Sequence, residues 1–548
     1  MPILRGSIVA TGSDRRPQDA EARFAGQPPP GDPGLRQTRN GLLLVAALAL
    51  IYIGGLWDCR GDCLWFDSGK SLYAPFRVLD GQAPYRDFQW IYPPLSPYIE
   101  AAVCRLFGAT YDVLQCLGCV AAFLAVILLY EVASTLMAPM AAVAASLAFT
   151  MVATPWIGFV PYSYAATYAN LLSLAAFAAL CRHARDGRAQ WLWLSGLAVG
   201  LCFAAKLEFA VGAAAGAVAY LWVGARCGRA VQRRAVLALA LSALIGACAP
   251  YLAMLTLVGP DAVLRDLIPA WLPRMYHNRV QTVLSLLVLP ASCVAALVYA
   301  LRRHHQPERD CSVQALAVGF FIYGVVISLR ALQASWWGQT APAAVAMAML
   351  LDGSWRRLRH LPVLRLMSTP RQQGVIAACV VLCTVPACRA THTYRLQTPR
   401  VSVLCSPRWG APLDQAAKAL ASAGRVRHLV CLPYLPGLNA IAGIQSPLRQ
   451  FEVLPGFVQG PAGEADAVRR LSGGGGAWVV VATKQDPYIG ARFGLDYHRR
   501  LWSYIQAHYV TWAAWRGGRL RRVPPTPPRL EELAILAPRP QPSGGTVR

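Results

Sequence analysis

Between Asp58 and Gly108 five aspartates (58, 62, 67, 80 and 87) and Glu100 stand among aromatic residues and prolines. A carboxylate in such a setting can serve as a general base, taking the proton of an attacking hydroxyl. Asp67 is the first candidate. Residues 68–80 carry apolar groups at helical spacing (Leu72, Tyr73, Phe76, Leu79), so Asp67 sits just before a helix, where it can also act as an N-cap. Residue chemistry alone leaves capping and base catalysis equally open. Asp87 follows Tyr85-Arg86 and reads as a second acid or as a partner for Arg86. Asp58, Asp62 and Asp67 have the oxygens a divalent metal takes. Their spacing fits no ligand motif, and no metal or other cofactor is expected.

These residues must be held by the elements around them. Apolar residues make up 55% of the 548-residue chain and charged residues only 14%, which is too few for a soluble domain. Apolar runs recur at Gly41–Trp57, Leu117–Leu136, Ala235–Val258, Val280–Leu301 and Val313–Leu329. Each approaches the roughly 20 residues that cross a bilayer as a helix. The net charge of +25 suggests nucleic acid, but its placement excludes that partner. Arginines cluster in short gaps between runs: 182/185/188, 226/229/233/234, 302/303/309 and 356/357/359/365. That is the positive-inside pattern, without the aromatic interleaving of a nucleic-acid surface. Contacts to anionic membrane lipid fit it better.

Threading the chain by these clusters gives a polytopic α-helical membrane protein of about 11 transmembrane helices. Residues 1–40 form a disordered cytoplasmic tail, and 41–389 form the membrane domain with its external loop at 58–108. Trp191–Tyr220 is too long for one span and reads as a hairpin broken at Lys206-Leu207-Glu208, while Gly259–Arg279 reads as a loop. Residues 390–523 alternate helical and strand cues and read as a small extracytoplasmic α/β domain. Its expected helices are Leu413–Ala423, Glu464–Leu471 and Asp496–His508, and its expected strands Val426–Leu432 and Ala477–Ala482. Residues 524–548 read as a Pro-rich tail, loose apart from a strand at Leu533–Leu536. Cys405 and Cys431 lie in the same polar region, where a bridge and two free thiols are equally open; so are both readings for Cys59 and Cys63. The glycine run Gly473–Gly476 lacks the Lys-Ser/Thr of a nucleotide phosphate loop.

Asp67, Tyr73, Leu79 and Gly81, then Ala83-Pro-Tyr85-Arg86-Asp87-Phe88, Tyr92-Pro93-Pro94-Leu95 and Leu106-Phe107-Gly108, form a pattern of their own. It resembles the first external loop of the C-superfamily (GT-C) polyprenyl-phosphate-sugar-dependent glycosyltransferases. These include the protein O-mannosyltransferases and the lipid A aminoarabinose transferases. Gly196–Gly200 leading to Lys206 is similar to the family's glycine-rich hairpin. Pro433–Asn439, Ser446–Arg449 and Ala477–Ala482 resemble the external domain of bacterial members. The resemblance implies a sugar donor on a polyprenyl phosphate, a hydroxyl acceptor on an unidentified glycan, lipid or protein, and Asp67 as the catalytic base. It implies cations at the outer ends of spans to meet the leaving phosphate, for which Lys206, Arg274, Arg279 and Arg330 are the candidates. Tyr85, Asp87 and Tyr92, within the matching motifs, are expected at the substrate site. It also implies a bacterial inner-membrane location, with the C-terminal domain outside. Two positions depart from the family: Asp67-Ser68 replaces Asp-Glu, and Tyr92 stands where many members have Lys before Pro-Pro. The phosphate contact is therefore expected from another loop. The competing class is a transporter or flippase. Acids are almost absent from the spans and gather in one loop, which favours an enzyme.

Overall fold

The computed structural model describes residues 33–59, 61–65, 67–152, 163–226, 233–267, 288–302, 311–330, 340–358, 370–424, 426–455, 457–458, 460–473, 476–482, 491–516, 518–528 and 533–539. The apolar runs are helices where they fall among the described residues, which leave out 280–287 of the run Val280–Leu301, as backbone groups without water partners require. Among the described residues six are long and apolar enough to cross a membrane: Arg36–Gly55, Tyr111–Leu136, Ala165–Asp186, Leu207–Arg226, Arg233–Val258 and Cys311–Ser328. Shorter apolar helices at Pro139–Met151, Gln190–Ala205, Leu289–Arg302, Ala341–Leu351 and Ala378–Thr391 pack among them.

In chain order the helices that matter here are α1 (Pro33–Gly55), α2 (Asp67–Leu79), α3 (Leu95–Phe107), α4 (Tyr111–Leu136), α5 (Pro139–Val152), α6 (Ala165–Asp186), α7 (Gln190–Ala205), α8 (Leu207–Arg226), α9 (Arg233–Val258) and α10 (Pro260–Leu267). The break expected near Lys206 is present: α7 stops at Ala205, and Lys206 is extended before α8 begins. Between lipid-facing helices there is little hydrophobic gradient, so small residues decide the packing. A Cβ on Gly196 would lie 2.2 Å from the Leu239 carbonyl oxygen, and one on Gly200 2.1 Å from that of Ala243. Those two glycines let α7 lie directly on α9.

Helix α2 is the one expected in the 58–108 loop, and α3 follows Tyr92-Pro93-Pro94 in the same loop. The C-terminal domain sits on them. It holds a two-stranded antiparallel sheet, β1 (Tyr394–Thr398) with β2 (Val401–Cys405), and a five-stranded sheet. The larger sheet contains β3 (Leu429–Leu432), β4 (Trp478–Val481), β5 (Tyr509–Arg516), β6 (Arg519–Thr526) and β7 (Ala534–Pro538), in the order β3-β4-β7-β5-β6. Only β3 and β4 run parallel. Helices at Pro407–Ser422, Pro436–Ala442, Gly460–Gly473 and Arg499–His508 cover it. One apolar cluster joins loop and domain, with Leu72, Tyr73, Phe76, Tyr85 and Phe88 packed with Leu413, Leu429, Leu438 and Phe451.

Four sequence expectations change. Strand β6 runs through Pro524-Pro525 to Thr526, beyond the point where a loose tail was expected. It is an edge strand, where a missing N–H costs no ladder bond. The strands β1, β2 and β5 had no alternating pattern strong enough to mark them. Cys405 and Cys431 are both buried and do not bridge each other. Cys405 ends the two-stranded sheet with its sulfur against Gly61, whereas Cys431 is in the larger sheet. Finally, the stretch after α9 is not only loop. Helix α10 buries Asp266, which pairs with Arg449 at 3.1 Å and accepts from the Trp90 N–H at 3.3 Å. Burial raises this carboxyl, and Arg449 and Arg265 pull it back.

Candidate active site

Asp67 is the first residue of α2, and its side chain is about half exposed (53%). It does not cap its own helix. Its Oδ1 accepts a 2.5 Å hydrogen bond from the Tyr434 hydroxyl, brought in by the loop after β3. Burial, and the Asp67 carboxylate beside it, push the Tyr434 phenol well above its ordinary range, so it remains the donor. The approach is close because two glycines meet: a Cβ on Gly437 would fall 1.6 Å from the Leu64 oxygen, and one on Gly69 2.5 Å from the Gly437 Cα.

One turn along α2, Lys70 is buried with its ammonium 3.9 Å from Asp67 Oδ1. It also donates to the buried carboxylate of Glu452. Burial pulls the Lys70 ammonium down, but Glu452 and Asp67 outweigh it, and the group holds its proton well above the ordinary lysine range. The same ammonium lies 5.0 Å from the centre of the Tyr92 ring and 5.5 Å from that of Tyr434. Lys206, from the break between α7 and α8, reaches the Tyr92 ring as well, at 5.6 Å, and the Tyr164 ring at 5.2 Å. It also faces Glu208 at 3.5 Å and the Phe209 ring at 5.8 Å. The hydroxyls of Tyr92 and Tyr164 share a 2.8 Å hydrogen bond. Segments far apart in sequence thus converge. Asp67 forms the edge, two ammonium groups stand against the ring of Tyr92, and Tyr164 and Tyr434 close the sides. Both ammonium groups also face carboxylates, Lys70 that of buried Glu452 and Lys206 that of Glu208, and Lys206 is the more accessible of the two to an anionic group beside Asp67.

The remaining sequence candidates are distributed as follows. Tyr85 is fully buried, has a positive φ of 68°, and donates from its hydroxyl to the Tyr92 carbonyl at 2.6 Å. Its own carbonyl accepts from Arg265 and Arg449. It supports Tyr92 from behind and has no exposed surface for a ligand. Asp87 accepts from the Ala83 N–H at 2.7 Å and pairs with Arg86 at 2.8 Å, away from the cluster. Asp58 faces Arg389 at 3.7 Å, apart from Asp67. Arg274 and Arg279 lie outside the described residues, and Arg330 closes the helix Cys311–Arg330 with its side chain outside those described. Sequence reasoning missed Lys70, Tyr164, Tyr434 and Glu452. Lys70 was legible as the i+3 neighbour of Asp67 on a helix, and Tyr434 lies inside the Pro433–Asn439 motif. Nothing local marked Tyr164 or Glu452.

Residues 92–254 match the family described as dolichyl-phosphate-mannose-protein mannosyltransferase. No curated protein matches the sequence. Two crystal structures of ArnT from Cupriavidus metallidurans are similar to the whole chain. The apo form gives a TM-score of 0.60 and the form bound to undecaprenyl phosphate 0.56, each at 14% identity over 90% of this chain and 97% of that one. At that identity the likeness concerns architecture. The chain therefore has the GT-C membrane glycosyltransferase fold that the motifs of its 58–108 loop implied.

Proposed function

We propose that the protein transfers a sugar from a polyprenyl-phosphate donor to a hydroxyl acceptor at the outer face of a bacterial plasma membrane. The observation that carries this reading is the convergence of a half-exposed Asp67 with Lys70 and Lys206 on the Tyr92 ring. The acceptor oxygen attacks the anomeric carbon while Asp67 takes its proton. The bond from that carbon to the phosphate oxygen breaks, and the phosphate leaves with the electron pair. Lys206 meets the charge that develops on it, and Lys70, buried against Glu452, adds its positive field from behind. A single displacement of this kind inverts the anomeric centre.

In this reading the Lys that Tyr92 replaces is supplied twice, from α2 and from the α7–α8 break, with Tyr92 as the surface that orients both. ArnT of Cupriavidus metallidurans has been crystallised with undecaprenyl phosphate, which is the chemistry proposed here for the donor. Acids buried in the middle of the spans, expected of a transporter, do not enter the cluster. The test is to incubate the purified protein with a lipid extract of its source cells and follow the polyprenyl-phosphate sugars by mass spectrometry. Consumption of one species, with the free polyprenyl phosphate appearing, supports transfer. Movement of the intact lipid across vesicles without consumption would contradict it.

A further inference from the structure

Glu100 is 1% exposed and lies on α3, outside the spans. Its Oε1 accepts from the Ser163 hydroxyl at 2.6 Å and from Tyr168 at 3.4 Å. Ser163 and Tyr168 are joined by a short hydrogen bond. Its Oε2 has no hydrogen-bond partner among the described residues. No cation among the described residues pairs with it. Among the described residues, the titratable groups that face it are Tyr168 from α6 and Cys104 one turn on in its own helix. An ionised carboxylate in such a place would be left uncompensated, which is costly. A neutral carboxylic acid fits it.

Between Ser163 and Tyr168 lies Tyr164, the residue before α6, whose hydroxyl holds Tyr92 and whose ring carries Lys206. We propose that Glu100 is a positioning residue: its carboxyl pins Ser163 and Tyr168 to α3 and thereby sets Tyr164 against Tyr92 and Lys206. Burial pushes the Glu100 carboxyl up to about 8, and the two hydroxyl donors only partly oppose this. Its neutral form is therefore the one present at and below neutral pH. Rising pH through that value ionises a group with no counter-ion, loosens the Ser163–Tyr168 segment and disturbs the tyrosine pair. The site carries its own alkaline limit, separate from Asp67. Only the lipid-phosphate arm of the test below rests on the proposed function.

The experiment uses the full-length protein in nanodiscs. Infrared difference spectra across a pH titration should show a carboxylic-acid C=O band that disappears with a midpoint near pH 8 and that Glu100→Gln lacks. Amide exchange over residues 163–168, corrected for intrinsic rates, should accelerate several-fold above that midpoint in the wild type and stay flat in Glu100→Gln. Ser163→Ala should show the faster exchange at every pH. With undecaprenyl phosphate as probe, wild-type affinity should fall several-fold above the midpoint and that of Glu100→Gln should not. The proposal is overturned if the band titrates in the ordinary carboxylate range, or if Glu100→Gln keeps the pH-dependent exchange. If band and exchange behave as stated but the probe binds at no pH, the positioning role stands and the lipid-phosphate reading falls.

Discussion

Asp67 and Lys70 share one face of α2, and what surrounds them decides their different work. Asp67 keeps half its side chain in solvent, with one oxygen held by Tyr434. As a base it should contribute about 10²–10⁴-fold to the transfer step. Asp67→Asn keeps the shape and the Tyr434 contact, and should lower kcat by that factor while donor affinity changes by less than about threefold. Lys206→Met should weaken polyprenyl-phosphate binding about tenfold in a direct binding titration, as losing one charge-assisted contact does, and leave the fold intact. Lys70→Met is a different case, because it leaves Glu452 buried and unpaired. A drop in melting temperature comparable with a loss of about 3–5 kcal/mol is expected, and the double variant Lys70→Met/Glu452→Met should recover much of it.

At the scale of elements, the site depends on how closely α2 meets the helix at Pro436–Ala442. A Cβ on Gly437 would strike the backbone oxygen of Leu64, a group with little room to move. Gly437→Ala should therefore cost about 1–3 kcal/mol, measured as a lower melting temperature, and should reduce transfer by more than that loss of folded protein explains, since Tyr434 moves with it. The first loop helix was legible from the apolar spacing at Leu72, Tyr73, Phe76 and Leu79, and Gly81 ends it with a φ of 81°. The hairpin at Lys206 was legible from a charged pair inside an overlong apolar run. The tyrosine partners were not, because a Tyr on a loop has no local signature and becomes informative only when distant segments fold together. Tyr92 looked like a loss of a cation; in three dimensions it is where two cations meet.

For the molecule as a whole, the proposed topology, read from arginine placement, has the C-terminal domain and the 58–108 loop on the outer side of the membrane. They share an apolar cluster and so must lie on the same side. Ser472→Cys, exposed on the helix Gly460–Gly473, should react with a membrane-impermeant maleimide in intact cells above the wild-type background. Arg188→Cys, in the basic gap between α6 and α7, should react only after the cells are opened. Labelling of both in intact cells would overturn the topology and with it the outer-face acceptor. The common core also explains why fold likeness spans nearly the full chain: the loop, the domain and the helices beneath build the site together. The most direct test of that site is single-turnover consumption of the polyprenyl-phosphate sugar by Asp67→Asn beside the wild type, both loaded with the same donor. The account expects bound but unconsumed donor in the variant; donor consumed at the wild-type rate would show that Asp67 is not the base.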